Sequence, residues 1–323
     1  METTIIARLS ASDEPSIRYK TLTRVLGVHP HESRAKAIQS QIPGCERVQK
    51  LLSARRLDGS KPFHPYAKWQ GAHWVLSLLA DLGYPPGDES LVPLREDVLG
   101  WLLGPQHWKG IKTIAGKVRR CASQESNALY SLLTLGLADE RCDELAARLV
   151  KWQWPDGGWN CDKDPEAQHS SYHESWIPLR ALALHARVAG SQQSAQAAGR
   201  AAQVFLKRRL FKRLSDGEVI HPEFIRLHYP PYWHYDLLAG LKVMAEAGYI
   251  ADERCADALD LLESKRLPDG GFPAEAKFYR VTDRPVSGRS TVDWGVTSAA
   301  RTNEFITVDA LFVLKLAGRF ECS

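Results

Sequence analysis

No stretch of the 323 residues reaches the roughly 20 uninterrupted apolar positions that a membrane span requires, so a spanning helix is excluded. The opening METTIIARLSASDEPS has no basic segment followed by an apolar one; a secretory leader is not expected, and a cytoplasmic location is. Alternating β-branched runs are almost missing, which excludes a β-rich fold. Cysteine is sparse and scattered. Cys45, Cys121, Cys142, Cys161, Cys255 and Cys322 make no disulfide framework, so free thiols are expected. No linker or low-complexity segment interrupts the chain, and residues 1–323 read as one domain. Charge is nearly balanced, 42 basic against 38 acidic residues, and gives no reason to expect a nucleic-acid partner. The basic run LKRRLFKRL (206–214) reads as the end of a helix, where cations favour the dipole; its apolar face is too short to expect membrane contact. Oligomeric state is not legible.

What is present is helical periodicity, as in YAKWQGAHWVLSLLADLG, NALYSLLTLGLAD and YDLLAGLKVMAEAG. Apolar helices end at Gly27, Gly83, Gly136, Gly190, Gly248 and Gly318, where glycine supplies a left-handed cap. More charged helices follow, such as ERCDELAARLVKW, and run into turns at Asp58-Gly59, Asp156-Gly157, Asp216-Gly217 and Asp269-Gly270. The unit recurs every 53–70 residues or so, roughly, which is longer than common helical solenoids. Six apolar helices alternating with amphipathic ones predict an all-α fold, an (α/α)6 toroid with the apolar set inside. The inner set reads as apolar nearly all round, which favours a closed ring over an open superhelix. An outer helix after Gly318 is missing, so full closure stays open.

The segment WQWPDGGW (Trp152 to Trp159) carries Gln-x-x-Asp-Gly-x-Trp, with weaker copies at KRLPDGGF, KRLSDGEV and ARRLDGS. It resembles the QW repeat of squalene–hopene and oxidosqualene cyclases, and the chain resembles a divergent member of the terpenoid cyclase and protein prenyltransferase superfamily. Its own physics is a corner: Asp-Gly turns the chain and Trp159 folds back onto Gln153 and the helix end. The prenyltransferase resemblance implies zinc, with Cys121 at the start of one inner helix and His173, in Tyr172-His173, at the start of the next. The aspartate of that pattern is replaced by Arg119. Two cyclase motifs are also missing, Asp-x-Asp-Asp and Asp-Asp-x-x-Asp.

Candidate residues gather at the starts of the inner helices. Cys121, Cys161, His169 and His173 offer thiolate and imidazole ligands of the right number for tetrahedral zinc; the plain alternative is a helix cap, a pocket histidine and a buried small hydrophobe. Asp162, His173, His234 and Asp236 are the acid–base candidates, set against an acidic cap and a rim histidine. Tyr66, Trp69, His73, Gln124, Asn127, Trp176, Trp233 and Tyr235 would line an apolar substrate, or simply fill a core. The first functional reading is a terpenoid-cyclase-like enzyme acting on an apolar, isoprenoid-like substrate in a central cavity by acid–base or metal-initiated cyclisation or transfer. The alternatives are a zinc enzyme that activates a thiol or water, and a non-catalytic binder of a lipid or peptide.

Overall fold

The apolar periodicities become helices, and the structure, a computed structural model, is mostly helical. It describes residues 2–286 and 288–321; Cys322 lies outside the described residues. The helices are α1 (Glu2–Ser10), α2 (Pro15–Lys20), α3 (Ser33–Gln39), α4 (Glu46–Leu52), α5 (Ala72–Leu82), α6 (Val92–Leu102) and α7 (Pro105–Lys109). A hairpin of β1 (Lys112–Ile114) and β2 (Lys117–Arg119) comes next. Then follow α8 (Ala122–Thr134), α9 (Glu140–Trp152), α10 (Tyr172–Ala189), α11 (Gln192–Leu206), α12 (Leu237–Glu246), α13 (Ala256–Ser264) and α14 (Glu304–Leu316). Starts are set by side-chain caps: Asp139 accepts from Arg141 N, Asp236 from Ala239 N and Asn303 from Phe305 N. All six expected capping glycines have φ between 64° and 83°. At Gly83 this is essential twice over, because a Cβ would also stand 2.7 Å from the Tyr19 ring.

The helices fall into two sets. α2, α5, α8, α10, α12 and α14 are buried around most of their surface, and each packs on the next; α14 packs on α2, and α2 on α5. The others carry one apolar stripe. In α9 this is Cys142, Leu145, Ala146, Leu149 and Trp152, spaced for one face. α1 packs on α2 and on the π-type turn Thr21–Val25 that extends it. Arg8 pairs with Asp269 at 2.8 Å, and the Ser12 hydroxyl donates to Glu304 at 2.6 Å.

The Asp-Gly corner is a clamp, with partners that differ from the expected ones. Trp159 Nε1 donates to the carbonyl of Leu149 at 2.9 Å, tying the turn to the end of α9. The Gln153 amide donates instead to Gly157 O and, across to α11, to Ala197 O. Gly157 has φ 103°, and a Cβ there would meet the Arg200 carbonyl at 2.5 Å, so the close approach of α11 needs glycine.

One sequence expectation is overturned. The inner helices are not apolar all round: several place a charge where they face one another. Lys20 of α2, Asp81 of α5, Arg180 of α10, Lys242 of α12 and Asp309 of α14 meet there. Lys242 Nζ lies 2.7 Å from Asp81 and 2.6 Å from Asp309, and Lys20 Nζ lies 2.7 Å from Asp309. The Tyr229 hydroxyl donates to Asp81 at 2.9 Å. Burial raises the Asp81 pKa, but Lys20, Lys242 and Arg180 outweigh it and hold the carboxyl well below its ordinary value. At Lys20 burial wins and the pKa falls; at Lys242 the two aspartates win and it rises. A lone charge in low dielectric is too costly to keep, so these groups survive by pairing.

Candidate active site

The connection from β2 to α8 and the loop after the α9 corner lie side by side. Arg119 and Asn160 pair as a parallel β-bridge, which sets Cys161 beside Cys121. Arg119 is buried, lies over the Trp154 ring at 4.5 Å, and donates to the Ala167 carbonyl at 3.0 Å. The arginine that replaces the aspartate of the prenyltransferase pattern is therefore a strut for the 160–169 loop. From the first turn of α10, Glu174 reaches into the same place. One oxygen accepts from Ser123 N at 3.0 Å; the other lies 3.7 Å from the Cys161 sulfur. The ligand atoms of Cys121, Cys161 and Glu174 all lie within 4.8 Å of one another.

The two thiols differ in character. The hydrogen bond to Cys161, then burial, pushes the Cys121 pKa up; the same bond pulls the Cys161 pKa down against burial. Burial raises the Glu174 pKa. Both sulfurs belong to half-buried residues, so the cluster is reachable. Lys68 borders it: burial lowers its pKa and the charge of Cys121 raises it, while its ammonium lies over the rings of Trp233 at 4.8 Å and Trp69 at 5.5 Å.

From this border an aromatic wall continues. Trp69 stacks on Tyr232 with ring centroids 3.7 Å apart, and His234 lies between Trp233 and Phe278 at 4.0 and 3.8 Å. Burial holds the His234 pKa down at about 3, with His228, His173 and Lys68 adding to the effect. His173 accepts from Tyr235 N at 3.0 Å through Nδ1, and burial takes its pKa to about 4. His173 is therefore committed to the wall and is not in the thiol group. His169 is exposed, and only its carbonyl is engaged, by Asn160. Of the four residues expected as metal ligands, the structure brings Cys121 and Cys161 together; the third group beside them is Glu174, not His169 or His173.

The other expected residues have these places. Asp162 is exposed and accepts from Asp164 N in a surface turn. Asp236 caps α12 and also accepts from His228 N at 2.9 Å, with His228 Nδ1 2.8 Å away. Gln124 accepts from Arg120 at 2.5 Å, next to Tyr66, where burial raises the phenol and the bond to Gln124 opposes it. His73 and Asn127 pair at 3.2 Å; burial takes the His73 pKa to about 3. Trp176 Nε1 donates to the Trp233 carbonyl, and the Tyr235 hydroxyl to Leu210 O. Glu174, Lys68, His228 and the axial charges were not among the expected residues. A lone charge in an apolar helix was the available signal for the axial set.

Two voids of about 20 Å³ each flank Arg180 and Pro231, one reaching Asp236 and Asp309 and the other Asp81 and Asn127. Each has room for about one water molecule, whereas sites for drug-sized ligands span about 300–1,000 Å³. Neither of these two voids would hold an isoprenoid.

No protein-family pattern matches the chain, and no curated protein does. Solved structures with a likeness include a variant of the type II terpene cyclase MstE from Scytonema in complex with its substrate, geranylgeranyl dihydroxybenzoate. That chain is 16% identical, the match covers 85% of this chain and 96% of that one, and the TM-score is 0.29. A second MstE variant, with the product merosterolic acid A, is 17% identical over 88% and 99%, again with a TM-score of 0.29. At that TM-score the likeness carries no argument about this chain. No helix among the described residues is long and apolar enough to cross a membrane.

Proposed function

We propose that the chain is an enzyme on a closed (α/α)6 toroid, with its reaction centre at the helix-start mouth rather than on the axis. The order in which the six inner helices pack, with the last against the first, supports the toroid. The observation that carries the function is the convergence of Cys121, Cys161 and Glu174 within 4.8 Å. Two thiols and a carboxylate are the donor chemistry of zinc, and three protein ligands leave a fourth position open, as in catalytic rather than structural sites. Bound there, zinc would supply activation of a thiol or a water molecule. Glu174, held by Ser123 N, would fix the geometry, and Arg119 would keep Cys161 in place.

The test is metal content by mass spectrometry on protein purified without a metal-binding tag. Near-stoichiometric zinc is expected. It should be lost in Cys121→Ser and Glu174→Gln and kept in His169→Ala. A wild-type protein that stays metal-free after incubation with zinc sinks this reading.

The substrate class we propose is apolar and isoprenoid-like, taken against Trp69, Trp233 and His234 beside the cluster. The supporting observation is the aromatic wall bridged to Cys121 by Lys68. Isoprenoid alcohols and diphosphates incubated with zinc-loaded protein should be converted, with products read by gas chromatography–mass spectrometry. Trp233→Ala should raise KM more than it lowers kcat, the mark of a binding contact. Zinc-loaded protein that turns over none of them rejects the substrate class and leaves the metal centre standing.

A further inference from the structure

The opposite end of the inner helices, where they terminate, has an opening of its own. A cavity of about 320 Å³ lies there among Arg24, Tyr130, Arg180, Arg187, Glu246 and Phe312. Its size is that of a small-molecule site. Three guanidinium groups converge on it, and Glu246 is the carboxylate in its lining. Glu246 accepts from Arg180 at 2.5 and 2.8 Å, and Arg24 lies 3.2 Å from it. Arg187 reaches only the Glu246 carbonyl, at 3.4 Å. Arginine has five donors in a planar fork, so most of those on Arg24 and Arg187 are left for another acceptor.

Cations near helix C-termini offset the dipole, and that alone would account for one arginine per helix. It does not account for three in one cavity, two of them from α10, while α5, α8 and α12 have no basic residue in their last turns. The cavity also has apolar walls. Arg180 lies 3.9 Å over the Tyr130 ring, and Arg24 lies 5.2 Å over Phe312. Stacking of this kind holds each fork flat and leaves its edge free to bind.

We infer that this cavity is a second binding site, for a small organic anion whose carboxylate or phosphate takes the edges of Arg24 and Arg187 while its apolar body lies against Phe312 and Leu184. The site stands apart from the thiol cluster and does not depend on the metal reading. It also has a physical route to the other end. Arg180 is 4.0 Å from Asp81, and Asp81 accepts from Tyr229, six residues or fewer from His228, Trp233 and His234 of the aromatic wall. An anion that draws Arg180 from Glu246 would act on the axial network and, through Tyr229, on that wall.

Titration calorimetry with benzoate and phenyl phosphate, and with benzyl alcohol as the neutral control, tests the site on the full chain. Both anions should bind and the alcohol should not; the stronger anion identifies the head group. Arg187→Gln removes an exposed side chain and should fold normally, as its melting curve will show. It should weaken anion binding about tenfold, the scale of one charge-assisted hydrogen bond. Arg24→Gln should do the same, and Arg209→Gln, on a distant basic surface, should not. Failure of both anions to bind at millimolar concentration overturns the inference, as does binding that all three variants retain or that Arg209→Gln weakens equally.

Discussion

Between pH 6.5 and pH 5 the protein is expected to lose several kcal/mol of stability, before most carboxylates take up a proton. The cause is three histidines held neutral. His73, His173 and His234 have pKa values of about 3, 4 and 3, with burial the largest cause at each. In the unfolded chain they titrate near 6.5. A histidine with a lowered folded pKa contributes stability that is fully present above the unfolded value and is lost as pH falls toward the folded one. Each group then costs about 1.4 kcal/mol per pH unit, so three cost about 6 kcal/mol by pH 5. That competes with a total stability of about 5–15 kcal/mol for an ordinary domain. Solvent reaching His173 and His234 trims their share. Urea unfolding from pH 7.5 to pH 5 measures the effect, and His234→Phe should flatten the slope. Stability that stays level to pH 5 would show that these rings accept protons without unfolding. A second loss belongs to lower pH. Glu246 has a pKa of about 2: burial raises it, and Arg180 and Arg24 more than reverse that. Its contribution is present above the ordinary carboxylate range and disappears as pH falls toward 2.

Asp81→Asn should destabilise the protein by about 3–5 kcal/mol, the usual cost of removing one member of a buried ionic set. Asp81 meets Lys242, Lys20 and Arg180 and accepts from Tyr229. The amide is nearly isosteric, so the loss would be electrostatic rather than a cavity effect. Replacing Asp81 and Lys242 together by Leu and Met should cost less than the sum of the two single changes, because neither then leaves its partner unpaired. Denaturant melts of the three variants decide it. Additive losses would mean that Asp309 alone satisfies both lysines.

Much of the helical architecture was legible because it is written locally. Capping glycines, Asp-Gly turns and apolar spacing act within a few residues, and each appears where expected. The clustered site was harder. Cys121 and Cys161 were recognisable as chemistry-bearing residues, but their neighbour Glu174 sits next to the histidine that drew attention. Only the rotation of α10 decides which of the two faces α8, and a one-residue step around a helix is a turn of about 100°. Asp162 and His169 looked equally suitable in sequence, yet the loop that holds them is strutted by Arg119 with both facing water. The axial charges were hidden by arithmetic: one Lys or Asp barely changes the mean character of a helix such as AHWVLSLLADL, though it decides what fills the middle.

The packing of the first elements against the last has a consequence for synthesis. Lys20 waits for Asp309, and the Val25 carbonyl, separated by 290 residues from Lys315, waits for its ammonium. At about 5–20 residues per second the ribosome needs roughly 15–60 s to deliver that partner. Through this interval the nascent chain carries an unclosed seam, with one flank of α2 and one flank of α12 facing water and their lysines sharing Asp81 without Asp309. The seam is where a chaperone would have most to cover. A circular permutant that begins between α9 and α10 would put α14 and α2 next to each other in translation order and shorten that wait.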